Sequence, residues 1–231
     1  MDSYSFKAEG SLGDSYIIAC KLNMLHGNIK VFHHTKHYYW QPKISEIYSL
    51  NSHILVEFTD EPRLDLCEIT SDTHEQKMNF FPDWKIKSNI NIEKPYWILQ
   101  PHSGKVNGGN AKFLPFEWLN HQITMNKVKC VILGTSPIYE DLGKDLTKCT
   151  NLIGKTSIKQ AMSIIRNASL FFGPEGLLSF VALSYKIPSI IFYSDFTALE
   201  RRVVGTPWEN HVIQYIPIQY IPTGAINDSS I

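Results

Sequence analysis

Two short stretches carry residue types that could do chemistry, and each sits between an apolar run and a helical pattern. The later one is Gly173-Pro174-Glu175-Gly176. It follows the apolar run Ser169–Phe172 and precedes Leu178, Val181, Ala182 and Tyr185, which share one helical face. A second apolar run, Ser189–Tyr193, comes next. These patterns predict strand, glycine-rich turn, helix, strand. Such a turn leaves backbone N–H groups unpaired at a helix N-terminus, where the peptide dipoles contribute roughly half a positive charge. Phosphate binding is the chemistry that suits it. The earlier stretch is Glu9-Gly10-Ser11-Leu12-Gly13-Asp14. It joins a predicted strand, Tyr4–Ala8, to a predicted helix, Ser15–Leu25, with Ile17, Ile18, Leu22 and Leu25 at helical spacing. Asp14 has two readings: a carboxylate at the carboxyl edge of a sheet, facing a cleft, or a helix cap.

His33, His34 and His37 form a third group, for which metal binding is the reading to weigh. They lack a partner cysteine or an HExxH pattern, and a strand-end loop holds histidines without metal, so no metal site is expected.

The elements that must position these residues alternate along the chain. Gly27 closes the first helix and Asn28–Phe32 is a second strand. Trp40–Leu50 reads as a helix, Ile54–Phe58 as a third strand and Leu64–Ile69 as a short one. Phe80, Phe81 and Trp84 make an aromatic patch that suits a core or an interface. A new start appears at Glu93–Pro95. Strands follow at Tyr96–Gln100, Lys129–Leu133 and Leu152–Ile153, with helices from Pro115 and over Ile138–Leu146. Ser157 is the expected N-cap of a helix running to Ala168. Asp195–Arg202 has helical character and ends in the basic pair Arg201-Arg202, Val212–Ile216 suits an edge strand, and the last eight residues a frayed tail. Strands alternating with helices imply parallel sheets with right-handed crossovers. The expected class is therefore α/β, with two units, 1–94 and 95–231, and a cleft between them beyond the strand carboxyl ends.

Composition narrows the partners. The chain has 231 residues and no formal net charge, whereas a duplex-binding protein shows a basic excess, so nucleic acid is disfavoured as main partner. Cys20, Cys67, Cys130 and Cys149 are widely spaced, without CxxC, which fits a reducing, cytoplasmic setting. No apolar run approaches the ~18 residues of a membrane span, and the first ten residues lack signal-peptide features.

Four fragments, in order, resemble glycosyltransferase family 9, the ADP-heptose:lipopolysaccharide heptosyltransferases and their relatives. SLGDSYIIACKL resembles the family's opening. PHSG followed by KFLPFEWL resembles its strand, turn and Lys-containing helix start. NLIGKTSIKQAMSIIRNASLFFGPEG and VALSYKIPSIIFY resemble its donor-side segment. The resemblance implies two Rossmann-like lobes of the glycosyltransferase-B type, the N-terminal, acceptor-side lobe being abbreviated and the C-terminal lobe holding a nucleotide-sugar. It implies that Asp14 is the catalytic base, that Lys112 contacts the donor diphosphate, and that Ser103 and Gly104 lie beside the nucleotide. Gly173, Glu175, Gly176 and Leu177 would line the donor-phosphate helix start. Leu177 stands where the family often has a second glycine, and Phe180 where it often has a histidine. Val106–Ala111 lengthens the gap before Lys112. The implied reaction is inverting, metal-independent sugar transfer from a nucleotide diphosphate-sugar to a glycan or glycolipid hydroxyl. The donor is a substrate and no cofactor is expected; peripheral membrane attachment stays open. The rivals are an inactive nucleotide-sugar-binding or assembly protein, and a sugar-nucleotide epimerase on the same fold.

Overall fold

A computed structural model describes residues 3–86, 90–103, 112–114, 121, 124, 129–134 and 149–218, with the backbone alone at Lys112 and Phe113. The expected helices from Pro115 and over Ile138–Leu146, and the tail, lie outside the described residues.

The first half is a parallel three-stranded sheet in the order β1 (Ser3–Glu9), β2 (Asn28–His34), β3 (Ile54–Thr59). Helices α1 (Leu12–Leu22) and α2 (Gln41–Tyr48) connect the strands. Period-2 alternation places Ile29, Val31 and His33 of β2 on the helix-covered face. The first helix stops earlier than its apolar spacing suggests, at Leu22, with Asn23 as C-cap. The strand expected at Leu64–Ile69 reduces to one bridge, Lys7 to Glu68. With only that pairing, its backbone follows β1 for one residue and then turns away.

The second half holds a parallel six-stranded sheet in the order β11-β10-β9-β4-β7-β8. Its strands are β4 (Trp97–Leu99), β7 (Cys130–Ile132), β8 (Cys149–Asn151), β9 (Leu170–Pro174), β10 (Ser189–Tyr193) and the edge strand β11 (Val212–Pro217). The eighth strand therefore lies before the expected Leu152–Ile153. Two further strands, β5 (His102–Ser103) and β6 (Lys112–Phe113), pair antiparallel; their shortness left no periodic signal. Both faces of the large sheet are buried. Ile98, Val131, Phe171 and Ile191 pack on one face, while Leu99, Ile132, Phe172 and Phe192 pack on the other. That explains why these strands read as continuous apolar runs.

Helices α3 (Ile158–Arg166), α4 (Leu177–Ser184) and α5 (Phe196–Glu200) complete this half. Ser157 caps α3 by accepting the Gln160 N–H at 3.2 Å, and the Gln160 side chain accepts the Ser157 N–H at 2.9 Å. Glu46 of α2 reaches the same helix start, accepting the N–H groups of Ile158 and Lys159 at 3.1 and 2.9 Å. Every residue of α4 is buried, as a helix apolar all round requires. It packs against α1 and α3, and α2 packs against α3. Among the described elements, these helices lie between the two sheets. One hydrophobic core joins Tyr16 and Ile17 to Leu178, Phe180 and Trp208. The aromatic patch belongs to it: buried Trp84 meets Tyr16 edge to face and donates its indole N–H to Asn51 at 3.0 Å.

Candidate functional site

Two strand–turn–helix corners face each other where α1 meets α4. At the first, β1 ends at Glu9 and the chain turns at Gly10, whose φ is +128°. A Cβ there would lie 2.6 Å from Asp14 Oδ2, so only glycine fits. Ser11 is the N-cap of α1, and Asp14 sits one turn in. Asp14 Oδ2 accepts both the N–H and the hydroxyl of Ser11, each at 2.8 Å. Beneath the turn, buried His33 is 3.3 Å from the Gly10 carbonyl through Nε2 and 3.0 Å from the Tyr48 hydroxyl through Nδ1. The network assigns the proton to Nε2, with Tyr48 donating to Nδ1. Burial holds the imidazole neutral, with its pKa lowered to about 4.

At the second corner, β9 runs to Pro174 through Gly173, where a Cβ would lie 2.7 Å from the Gln100 Cβ. The Glu175 N–H is bonded to the Phe192 carbonyl at 2.8 Å, and the Ser103 hydroxyl donates to the Glu175 carbonyl at 2.8 Å. The Gly176 N–H donates to the Ser179 hydroxyl at 3.0 Å, which itself donates to the Gly176 carbonyl at 2.8 Å. In the structure the Gly176 amide is thus satisfied within its own helix turn. Leu177 is buried. Phe180, fully buried, stacks on Trp208 with centroids 5.6 Å apart and planes 11° apart. It fills apolar space and lines no polar pocket. Gly13 of α1 approaches this corner closely, since a Cβ there would be 3.1 Å from the Phe180 ring and 3.4 Å from the Leu177 nitrogen.

Arg202 joins the two corners. Its Nη2 donates to Asp14 Oδ1 at 2.7 Å and its Nη1 to Glu175 Oε1 at 2.9 Å. The Glu175 side chain is 3% exposed, Asp14 13% and Arg202 24%, so the trio is shielded from bulk water on most sides. Burial alone would push the Asp14 carboxyl up. The Arg202 charge and the hydrogen bonds from Ser11 outweigh it and hold Asp14 below its ordinary value. A strap from the first half, residues 70–76, secures the approach. The Thr73 N–H and hydroxyl both donate to the Arg201 carbonyl at 3.1 Å, and Asp72 pairs with Arg201 at 3.2 Å. The strap is itself held by the buried Lys21 ammonium, which donates to the carbonyls of Thr70 and Asp72 at 2.7 and 2.6 Å.

Of the residues singled out in the sequence, Asp14, Ser103, Gly173, Glu175, Gly176 and Leu177 gather at these facing corners. Asp14 serves the helix start with Oδ2, as a cap residue does, and meets Arg202 of the second half with Oδ1. Lys112 starts β6 beside Ser103, its backbone alone described, and Gly104 lies outside the described residues. Arg202 was missed; the only hint was the Arg201-Arg202 pair after the Asp195-capped helix. The histidines have structural partners: His34 meets the Thr59 carbonyl at 3.1 Å, and His37 packs edge to face on Trp40. Among the described residues, no cluster of three or more His, Cys, Asp or Glu side chains could hold a metal. None of the described helices is long and apolar enough to cross a membrane.

No model of a known protein family matches the chain. Comparison with solved structures defines its class as an α/β glycosyltransferase fold. The glycosyl transferase family 9 structure from Veillonella parvula superposes with a TM-score of 0.60 at 10% identity, over 94% of this chain and 86% of that one. TibC, a dodecameric iron-containing heptosyltransferase solved with ADP-D-β-D-heptose, superposes with a TM-score of 0.52 at 16% identity, over 89% of this chain and 62% of TibC. In sequence, the chain is 23% identical over 223 residues to lipopolysaccharide heptosyltransferase 3 of Escherichia coli, covering 89% of this chain. It spans 63% of that relative's length. The chain is thus similar in sequence to a lipopolysaccharide heptosyltransferase and in fold to a glycosyl transferase family 9 structure.

Proposed function

We propose that the chain is a glycosyltransferase of heptosyltransferase type, moving a sugar from a nucleotide diphosphate-sugar to an acceptor hydroxyl. The observation that carries this reading is the meeting of Asp14 and Glu175. They come from different halves, each at the carboxyl end of a parallel strand, where α/β folds bind ligands. Residues 1–94 form the acceptor side and 95–231 the donor side. Asp14 takes the proton of the attacking hydroxyl as the new bond forms, since an alcohol is otherwise a weak nucleophile. In-line attack from that side inverts the anomeric carbon. The leaving nucleoside diphosphate gains charge, which Lys112 and the start of α4 stabilise beside Ser103, Gly104, Gly173, Glu175 and Leu177. The sequence has no Asp-x-Asp motif to hold a divalent ion, and cationic side chains take that part here. ADP-heptose, the donor bound by TibC, is the first to test.

A second reading is a nucleotide-sugar-binding protein without turnover. It is favoured by Phe180, whose buried stack with Trp208 replaces a polar residue at the donor helix. Calorimetry with nucleotide-sugars, followed by product analysis with acceptor, separates the two. For the transferase, Asp14→Asn lowers turnover about 10²–10⁴-fold while donor binding persists. Unchanged turnover removes Asp14 as base, and binding without any product supports the second reading.

A further inference from the structure

As the molecule stands, three hydrogen bonds occupy the Asp14 carboxylate, and Arg202 holds the oxygen that faces the second half. An ionised carboxylate offers about four lone-pair sites. Oδ2 accepts twice from Ser11 and Oδ1 accepts from Arg202. Both sites of Oδ2 are filled, so an incoming hydroxyl must approach Oδ1, which Arg202 covers. The Ser11 bonds are local, three residues away, and belong to the start of α1 itself. Arg202 is different: it arrives from 188 residues further on, is the most exposed member of the trio, and has a second carboxylate to hold it.

We infer that Arg202 masks Asp14 in the free protein, and that the diphosphate of the donor, by drawing the guanidinium to itself, unmasks the base. This rests on the transferase reading and adds regulation to it. A guanidinium is the cation best matched to a diphosphate, because its planar fork pairs two oxygens at once. Electrostatics points the same way. Asp14, Glu175 and Arg202 together carry one net negative charge, which repels an arriving diphosphate unless the cation turns toward it. Moving Arg202 removes the charge that depresses the Asp14 pKa, so the carboxylate becomes a better proton acceptor once the donor is in place. The strap keeps the backbone at Arg201 fixed, so the motion is confined to the Arg202 side chain. Donor would bind before acceptor, and the base would stay covered in its absence.

The test is a double-mutant cycle read by calorimetry with ADP, UDP and GDP as probes, with thermal melts to confirm folding. Arg202→Gln is expected to weaken the best nucleoside diphosphate about tenfold or more, and Arg202→Lys, which keeps the charge but loses the fork, to weaken it less. Asp14→Asn frees Arg202 from a competitor and is expected to tighten binding several-fold. That gain should vanish in the Arg202→Gln background. If folded Arg202→Lys and Arg202→Gln bind as wild type does, Arg202 is a structural pin between the halves and the inference falls. The same holds if the Asp14→Asn gain persists without Arg202. If wild type binds none of the three probes, the transferase reading itself fails.

Discussion

The two facing corners use one device to different ends. Each follows a parallel strand with a glycine, an acid and a helix. At the first, the acid lies inside the helix, so Asp14 satisfies the start of α1 with one oxygen and presents the other outward. At the second, the acid precedes the helix. Glu175 pairs with Arg202, and the Ser179 hydroxyl satisfies the amide of Gly176. The supports differ too. The first corner rests on polar contacts, His33 and Tyr48 beneath Gly10, whereas the second rests on the Phe180–Trp208 stack. The first corner is therefore held by hydrogen bonds, and the one opposite it by apolar packing.

That contrast can be broken at either end. The largest effect should come from the apolar support. Phe180→Ala removes a fully buried ring and is expected to cost about 3–5 kcal/mol, read by urea unfolding; a cost under 1 kcal/mol would show that the stack does not hold the second corner.

The polar support should show itself through pH. The unfolded chain takes up a proton on His33 near its ordinary value, while the folded imidazole refuses it until about pH 4. Stability should therefore fall between about pH 6.5 and 4, by up to about 3 kcal/mol from this group. Buried His102, also lowered to about 4, acts in the same window. Asp14 has the same sign at lower pH. Its lowered value contributes stability above the ordinary carboxylate range that is lost as pH falls through the folded value. His33→Gln should flatten the upper part of the acid profile and leave the lower part; an unchanged slope between pH 6.5 and 4 would rule His33 out as its source.

The smallest of the three changes is at the turn itself. Gly10→Ala forces a Cβ against Asp14 and a backbone conformation that alanine disfavours, costing about 1–3 kcal/mol. It should lower turnover by more than its stability loss explains. Wild-type kinetics in a folded Gly10→Ala protein would show that the position of Asp14 is not critical.

Much of the fold was legible because local signals agreed. Ser189–Tyr193 is a strand over the range its apolar run suggests, and Ser157 with Gln160 marks the start of α3. The parallel arrangement followed from the alternation of elements. The approach of Asp14 to Glu175 was implied only by the family resemblance, since spacing alone left Asp14 as base or cap. Arg202 was not legible, because its role depends on two partners, one 188 residues away and one 27. Neither separation leaves a periodic trace. Trp208, 28 residues beyond Phe180, was hidden for the same reason, so the exchange of a family histidine for Phe180 looked like a lost polar contact until the stack was seen.

Lys21 holds the strap through main-chain oxygens, and the strap in turn grips the chain just ahead of Arg202. A single proteolytic nick within residues 70–76 would leave every strand paired and the core intact. It would nonetheless untie the arginine from its mooring, so the alignment of two acids from different halves depends on the continuity of a loop that carries neither.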